Sequence, residues 1–227
     1  GQYTGGFVAP YTVEGENRGL ITLGNDSAAI YGKNGARLLN AGTINVNESS
    51  VGLYALDSGA GTENTGIINI GKNSTGLYLR GGQDIVNNNT IAGSASGSIG
   101  MYTDNNTGIV ENNHIIDLSG DRVIGIYSVN GTQNIVNNGT IKIGNSANTD
   151  DPGIGIYTKS LTDSVVNNGT IEAGAKSLGI YSLGTSVVQN GTIKVGDEGT
   201  GIYKEQGTLD INNGAQIQIG NNEAVGL

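Results

Sequence analysis

The chain has 227 residues with 40 glycines, one phenylalanine, one methionine, no tryptophan and no cysteine, and its formal net charge is −9. Its eleven basic residues never cluster, which sets aside nucleic-acid and anionic-membrane binding. The lack of cysteine excludes disulfides and thiolate metal sites and suits a chain exported unfolded. Glycine above double its usual share, with almost no large aromatics besides tyrosine, points to a thin interior of Ile, Val and Leu rather than a globular core.

Residues 1–16 read as the tail of an earlier unit: Gly6-Phe7-Val8 stands where a G-I-Y phrase is due, and Pro10 weakens the strand after it. From Asn17 onward one phrase repeats. Its isoleucine falls at Ile21, Ile44, Ile68, Ile91, Ile116, Ile141, Ile171, Ile193 and Ile217, at spacings of 22 to 25 residues with one of 30. A closing tyrosine keeps the same beat at Tyr31, Tyr54, Tyr78, Tyr102, Tyr127, Tyr157, Tyr181 and Tyr203. Three runs recur in each unit. One is T-I-x-I, as in Thr140 to Ile143, and one is x-G-I-Y, as in Ile154 to Tyr157. The third precedes the asparagines and reads Leu38-Leu39, Ile85-Val86, Ile109-Val110, Ile135-Val136, Val165-Val166 and Val187-Val188. Alternation of period two in runs this short, bounded by Gly, Asn and Ser, predicts strands and leaves no room for helices.

The third run is polar near Thr62-Glu63 and reads there as loop. Asn89 and His114 replace the motif glycine, which suggests a left-handed or bridging backbone at both. Between Ile143 and Ile154 the stretch Gly144 to Gly153 adds about six residues to a turn, and insertions in solenoids emerge as loops, often on the binding face. The pattern then resumes and stops at Gly226-Leu227, where a tyrosine is due next, so the chain reads as a piece of a longer one.

Three strands and three turns per unit predict an all-β, right-handed parallel β-helix of about nine rungs, with residues 1–227 a single segment. Leucine-rich repeats need a leucine and helix pattern missing here, and propeller blades need about 40 residues or more. A lone rung is unstable: about five buried aliphatics supply on the order of 10 kcal/mol, while ordering each backbone costs about 1–2 kcal/mol. Stacking has to supply the rest.

The first motif asparagine is the most uniform column: Asn17, Asn40, Asn64, Asn87, Asn112, Asn137, Asn167, Gln189 and Asn212. Such a column is expected to face inward as a ladder of side-chain amides. Tyrosines following an inward Ile point outward, so Tyr78, Tyr102, Tyr127, Tyr157 and Tyr181 are candidates for binding sugars or a flat protein surface. The alternative is that the rings cover an exposed glycine column at Gly52, Gly76, Gly100, Gly125, Gly155, Gly179 and Gly201. Asn148, Asp150 and Asp151 of the insertion are the other binding candidates. Asn148-Thr149-Asp150-Asp151 also resembles one short motif of the polygalacturonases, in which paired carboxylates split a glycosidic bond. The Gly-His-Gly and Arg-Ile-Lys phrases of that family are missing. Asp57-Ser58-Gly59 resembles a serine-protease nucleophile, but the one histidine, His114, lies in a distant turn. No residue grouping suggests a metal or cofactor, and the nine N-x-S/T sequons come with the repeat.

The phrase N-N-G-T-I-x-x-G with S-x-G-I-Y, in Asn137 to Ile141, Asn167 to Tyr181 and Asn190 to Tyr203, resembles the passenger repeats of type V autotransporters. It is most similar to the very large fusobacterial adhesins, including those inhibited by arginine or by galactose. The likeness covers almost the whole chain. It implies a non-enzymatic, monomeric β-helical passenger, exported through an outer-membrane barrel and displayed on a Gram-negative cell. Such a stalk meets protein or glycan receptors on host cells or other bacteria and is not itself inserted in the membrane. No binding residue of the family carries over by motif.

Overall fold

The computed structural model describes residues 2–4, 14–57 and 61–227. Over the described residues the chain is all β, in three parallel sheets of nine strands each, with no helix. Each sheet takes every third strand, so the backbone visits the sheets in rotation and returns one repeat later. This is a parallel β-solenoid. One rung runs Thr140–Ile143, Ile154–Thr158 and Ser164–Asn167, and the next runs Thr170–Ala173, Leu178–Ser182 and Ser186–Gln189. The three are called the threonine–isoleucine, tyrosine and asparagine sheets after the columns they carry.

Like sits on like. Ile116 pairs with Ile141 and Ile141 with Ile171, Tyr127 with Tyr157, and Asn112 with Asn137. A slip of one residue would turn every isoleucine to solvent, so burial locks the register. Ile44, Ile68, Ile91, Ile116, Ile141, Ile171 and Ile193 are fully buried, as are Ile126 and Ile156 of the tyrosine sheet and Ile135 and Val165 of the asparagine sheet. The first tyrosine strand pairs Tyr3 with Tyr31, so Gln2–Thr4 takes the place expected of Gly6-Phe7-Val8. That phrase and Pro10 lie outside the described residues.

The tyrosine strands do not alternate strictly. Their register runs Ile124 to Ile154 and then Ile126 to Ile156, skipping the glycine between. Gly125 and Ile126 are both buried. A Cβ on Gly125 would lie 2.5 Å from the Gly155 carbonyl oxygen and 2.6 Å from Cγ2 of Ile141. The same crowding recurs at Gly76, Gly100, Gly155 and Gly179, so the column is a stacked bulge with no space for a side chain. The glycines therefore face the core and are not an exposed strip beneath the tyrosine rings. The extra residue of the bulge shifts the strand's phase, which simple alternation misses.

Four further expectations change. Thr62–Asn64 is a strand, paired with Leu38–Asn40 on one side and Ile85–Asn87 on the other. Two well-formed neighbours supply its ladder bonds, and Thr62 is buried in a column that, beyond Gly15 at its start, is otherwise Leu, Ile and Val. Val110, not Ile109, occupies that column, while Ile109 is exposed. In the last rung Ile211 lies opposite Gln189, so Asn212 falls one position beyond the inner asparagine column. Neither Asn89 nor His114 has a left-handed backbone. Glycine is favoured there by proximity: a Cβ on Gly139 would sit 2.0 Å from the His114 carbonyl oxygen. Where His114 puts a real Cβ in that position, the ladder bond from Ile115 N to Asn89 O stretches to 3.2 Å, against 2.7 Å for Thr140 N to His114 O.

Left-handed residues occur instead in the turns on either side of the tyrosine sheet, at Asn34, Asp57, Asn105 and Asn130 after its strands and at a second set before them. In that second set Asp26, Ser49, Asn73, Arg122, Lys176 and Glu198 all have φ between 51° and 57°. Ser50, Ser74, Ser98 and Ser177, each buried, follow in the turn before the strands. Their hydroxyls bond turn carbonyls, as Ser98 Oγ does to Gly71 O at 2.6 Å. Ser146 keeps this column through the insertion, 2.9 Å from Ser177 Oγ and accepting the Gly153 amide at 2.6 Å. Residues 147–152 leave and rejoin the rung around it.

Candidate functional site

The tyrosine column is a continuous file. Rings from Tyr31 to Tyr203 follow one another at centroid spacings of 4.7 to 5.3 Å. Tyr78 stacks on Tyr102, Tyr127 on Tyr157 and Tyr181 on Tyr203, with interplanar angles of 14°, 7° and 17°. Between these pairs the rings meet edge to face, as Tyr102 and Tyr127 do at 89°. The broad ring faces are thus largely engaged by neighbouring rings, and contacts of this kind are worth about 0.5–1.5 kcal/mol per pair beyond burial.

Three of the phenols, Tyr78, Tyr102 and Tyr181, are shifted towards the protonated form. Burial raises Tyr78, and burial followed by the neighbouring Tyr78 and Asp104 charges pushes Tyr102 up to about 12. Tyr181 is raised first by its bond to Glu205, at 2.7 Å. Because the folded value of Tyr102 exceeds the ordinary 10.0, its contribution to stability is complete below pH 10 and is lost as pH rises from 10 towards 12. A spectrophotometric titration of the phenolates is expected to show ionisation of Tyr102 delayed to about 12. Stability measured in parallel should fall across that interval, and simultaneous ionisation of all tyrosines near 10 would contradict the assignment.

The insertion is solvated and tied down by backbone caps. Asn148 Oδ1 accepts the amides of Asp150 and Asp151 at 3.1 and 2.9 Å, and the Ala147 amide donates to Asp121 Oδ1 at 2.8 Å. Asp151 lies 3.4 Å from Arg122 Nη1, and Asn148, Asp150 and Asp151 are all exposed. At the foot of the insertion a shallow trough of about 260 Å³ is lined by Asp117, Ser119, Lys142, Gly144 and Glu172, and a second of about 450 Å³ runs from Asp117 and Ser119 away from the insertion to Asn69, Ala92 and Ser94. Of the remaining candidates, Asp57 has φ 49° and its neighbours Ser58 and Gly59 lie outside the described residues. His114 uses its carbonyl oxygen in the ladder, accepting Asn112 Nδ2 at 3.2 Å.

Two amide ladders run side by side on the asparagine edge. In the buried one, Asn17, Asn40, Asn64, Asn87, Asn112 and Asn137 each donate Nδ2 to the next residue's Oδ1 at 2.8 Å, ending Asn137 to Asn167. Asn167 continues it to Gln189 Oε1 at 3.0 Å. The ladder stops there, because Ile211 follows. The second ladder is exposed and links Asn88, Asn113, Asn138, Asn168, Asn190 and Asn212 at 2.5 to 2.9 Å.

One group escapes sequence reasoning altogether. The inward column of the tyrosine sheet is apolar at Ala55 and Leu79, then becomes Thr103, Ser128, Thr158 and Ser182, all buried. The adjoining corner adds Asn106, Gln133, Ser160 and Asp163, also buried. These residues are scattered over rungs and look individually like turn polars, so only their common inward direction reveals the group. Scans against protein-family models, curated proteins and solved structures find no match to the chain.

Proposed function

We propose that this chain is part of a non-enzymatic adhesin passenger, displayed on the surface of a Gram-negative bacterium after export through an outer-membrane barrel. The observation that carries the reading is the solenoid that the described residues form, whose interior is filled by stacked aliphatics, amides and hydroxyls so that outward files and the insertion are left to meet a partner. The repeat phrase it shares with the fusobacterial adhesins points the same way. Partners are protein or glycan receptors on host cells or other bacteria, and the segment acts as a monomer. Within it, the tyrosines between Tyr78 and Tyr181 serve chiefly as scaffold, since neighbouring rings take up their faces. Contact falls to the insertion carrying Asn148, Asp150 and Asp151 and to the trough at its foot. The glycoside-hydrolase alternative gains no support from two solvated carboxylates, one of them engaged by Arg122. In the displayed parent protein, replacing residues 147–152 by the short turn of a neighbouring rung is expected to reduce attachment to target cells. Unchanged attachment after that replacement, and again after in-register removal of whole rungs, would leave the segment as a spacer only.

A further inference from the structure

The corner between the tyrosine and asparagine sheets encloses a carboxylate with no counter-charge. Asp163 is fully buried, and among the described residues no Lys, Arg or His lies within ion-pair distance of it. Its oxygens accept the hydroxyls of Ser128 and Thr158 at 2.6 and 2.7 Å and the Gln133 amide at 3.2 Å. Gln133 Nε2 bonds Thr103 Oγ1 at 2.9 Å and also reaches Ser128 Oγ, while Gln133 Oε1 has no partner. Asn106 lies one rung below the Gln133 turn and two below Asp163, its carbonyl oxygen accepting the Thr132 amide at 3.1 Å. It is fully buried, with neither side-chain amide atom bonded.

A buried charge is ordinarily paired or coordinated, and a buried amide is ordinarily bonded. We propose that this corner binds one monovalent alkali cation, Na⁺ or K⁺. Asp163 supplies the charge, and Gln133 Oε1, Asn106 Oδ1 and the lone pairs of Ser128 and Thr103 supply neutral oxygens. Hard cations favour all-oxygen sites of this kind. A single carboxylate selects the charge: a monovalent ion makes the corner neutral, whereas a divalent ion would leave a net positive charge buried. The proposal is independent of the adhesin reading, and it concerns what stabilises these rungs.

The test follows thermal unfolding of the protein at fixed ionic strength, with Na⁺ or K⁺ titrated against choline and with Ca²⁺ as a separate arm. The midpoint is expected to rise by roughly 5 °C or more when the alkali ion reaches about a hundred times its dissociation constant. That rise should vanish in Asp163→Asn, and should shrink in Ser128→Ala, which keeps the carboxylate and guards against a failure of the first variant to fold. In crystals soaked with Tl⁺, an anomalous peak between Asp163, Gln133 and Asn106 is expected. Equal midpoints in Na⁺, K⁺ and choline, a response to Ca²⁺ alone, or no Tl⁺ peak in the corner would each overturn the assignment.

Discussion

Asn137→Ala is expected to lower stability by about 2–5 kcal/mol, while Asn138→Ala, one residue along, should change it by no more than about 0.5 kcal/mol. The two asparagines belong to neighbouring ladders, each accepting from one rung and donating to another, so the ladder bonds alone do not separate them. Burial does. Asn137 is fully enclosed, accepts from Asn112 Nδ2 at 2.8 Å and donates to Asn167 Oδ1 at 2.8 Å. Its removal strands a donor on one side and an acceptor on the other where water does not reach, each costing about 1–3 kcal/mol. Asn138 makes matching bonds in solvent, where water replaces them. In thermal unfolding the inner variant should melt roughly 5–20 °C lower at about 2–4 °C per kcal/mol, and equal losses from both variants would refute the distinction.

Gly125→Val should cost about 3 kcal/mol or more, at the upper end of overpacking penalties. The new Cβ would meet a carbonyl oxygen at 2.5 Å and a buried methyl at 2.6 Å, and the oxygen belongs to the backbone of the next rung, which cannot rotate aside. Relief requires parting two rungs, and that weakens all three sheets at once. Gly24→Ala is the control, because nothing lies within 4 Å of the position its Cβ would take. Denaturant unfolding of the pair checks the contrast; a Gly125→Val protein as stable as the control would mean that the bulge column is not closed.

Side-chain period and the inward isoleucines were legible in the sequence because both depend on local alternation and on a repeat that anyone can count. Ile116, Ile141 and Ile171 are superposed, as the spacing predicts. The bulge at Gly125 was not legible: an extra inward residue looks like ordinary alternation around a glycine, and only the skipped register reveals it. Thr103, Ser128 and Thr158 face inward by plain alternation after the tyrosine, and the polar corner was hidden because its other members, Asn106, Gln133 and Asp163, sit in turns that carry no side-chain period. The Thr62 strand was missed for a different reason. Its own residues argue for loop, and its neighbours overrule them by offering a ladder on both sides. Of the candidate surface, the position and length of the insertion were visible, whereas the engagement of each tyrosine face by the next ring needed coordinates.

Every bond between rungs points along the rod, because strands lie across its axis and pair in the direction of its length. Tension applied between its two ends therefore pulls those bonds open in line rather than sliding them past one another. The outermost rung yields first, while those behind it stay closed. Each release frees two dozen residues that extend by roughly 80 Å where they had occupied roughly 4.8 Å. A solenoid built this way is expected to lengthen in discrete steps when its two ends are pulled apart.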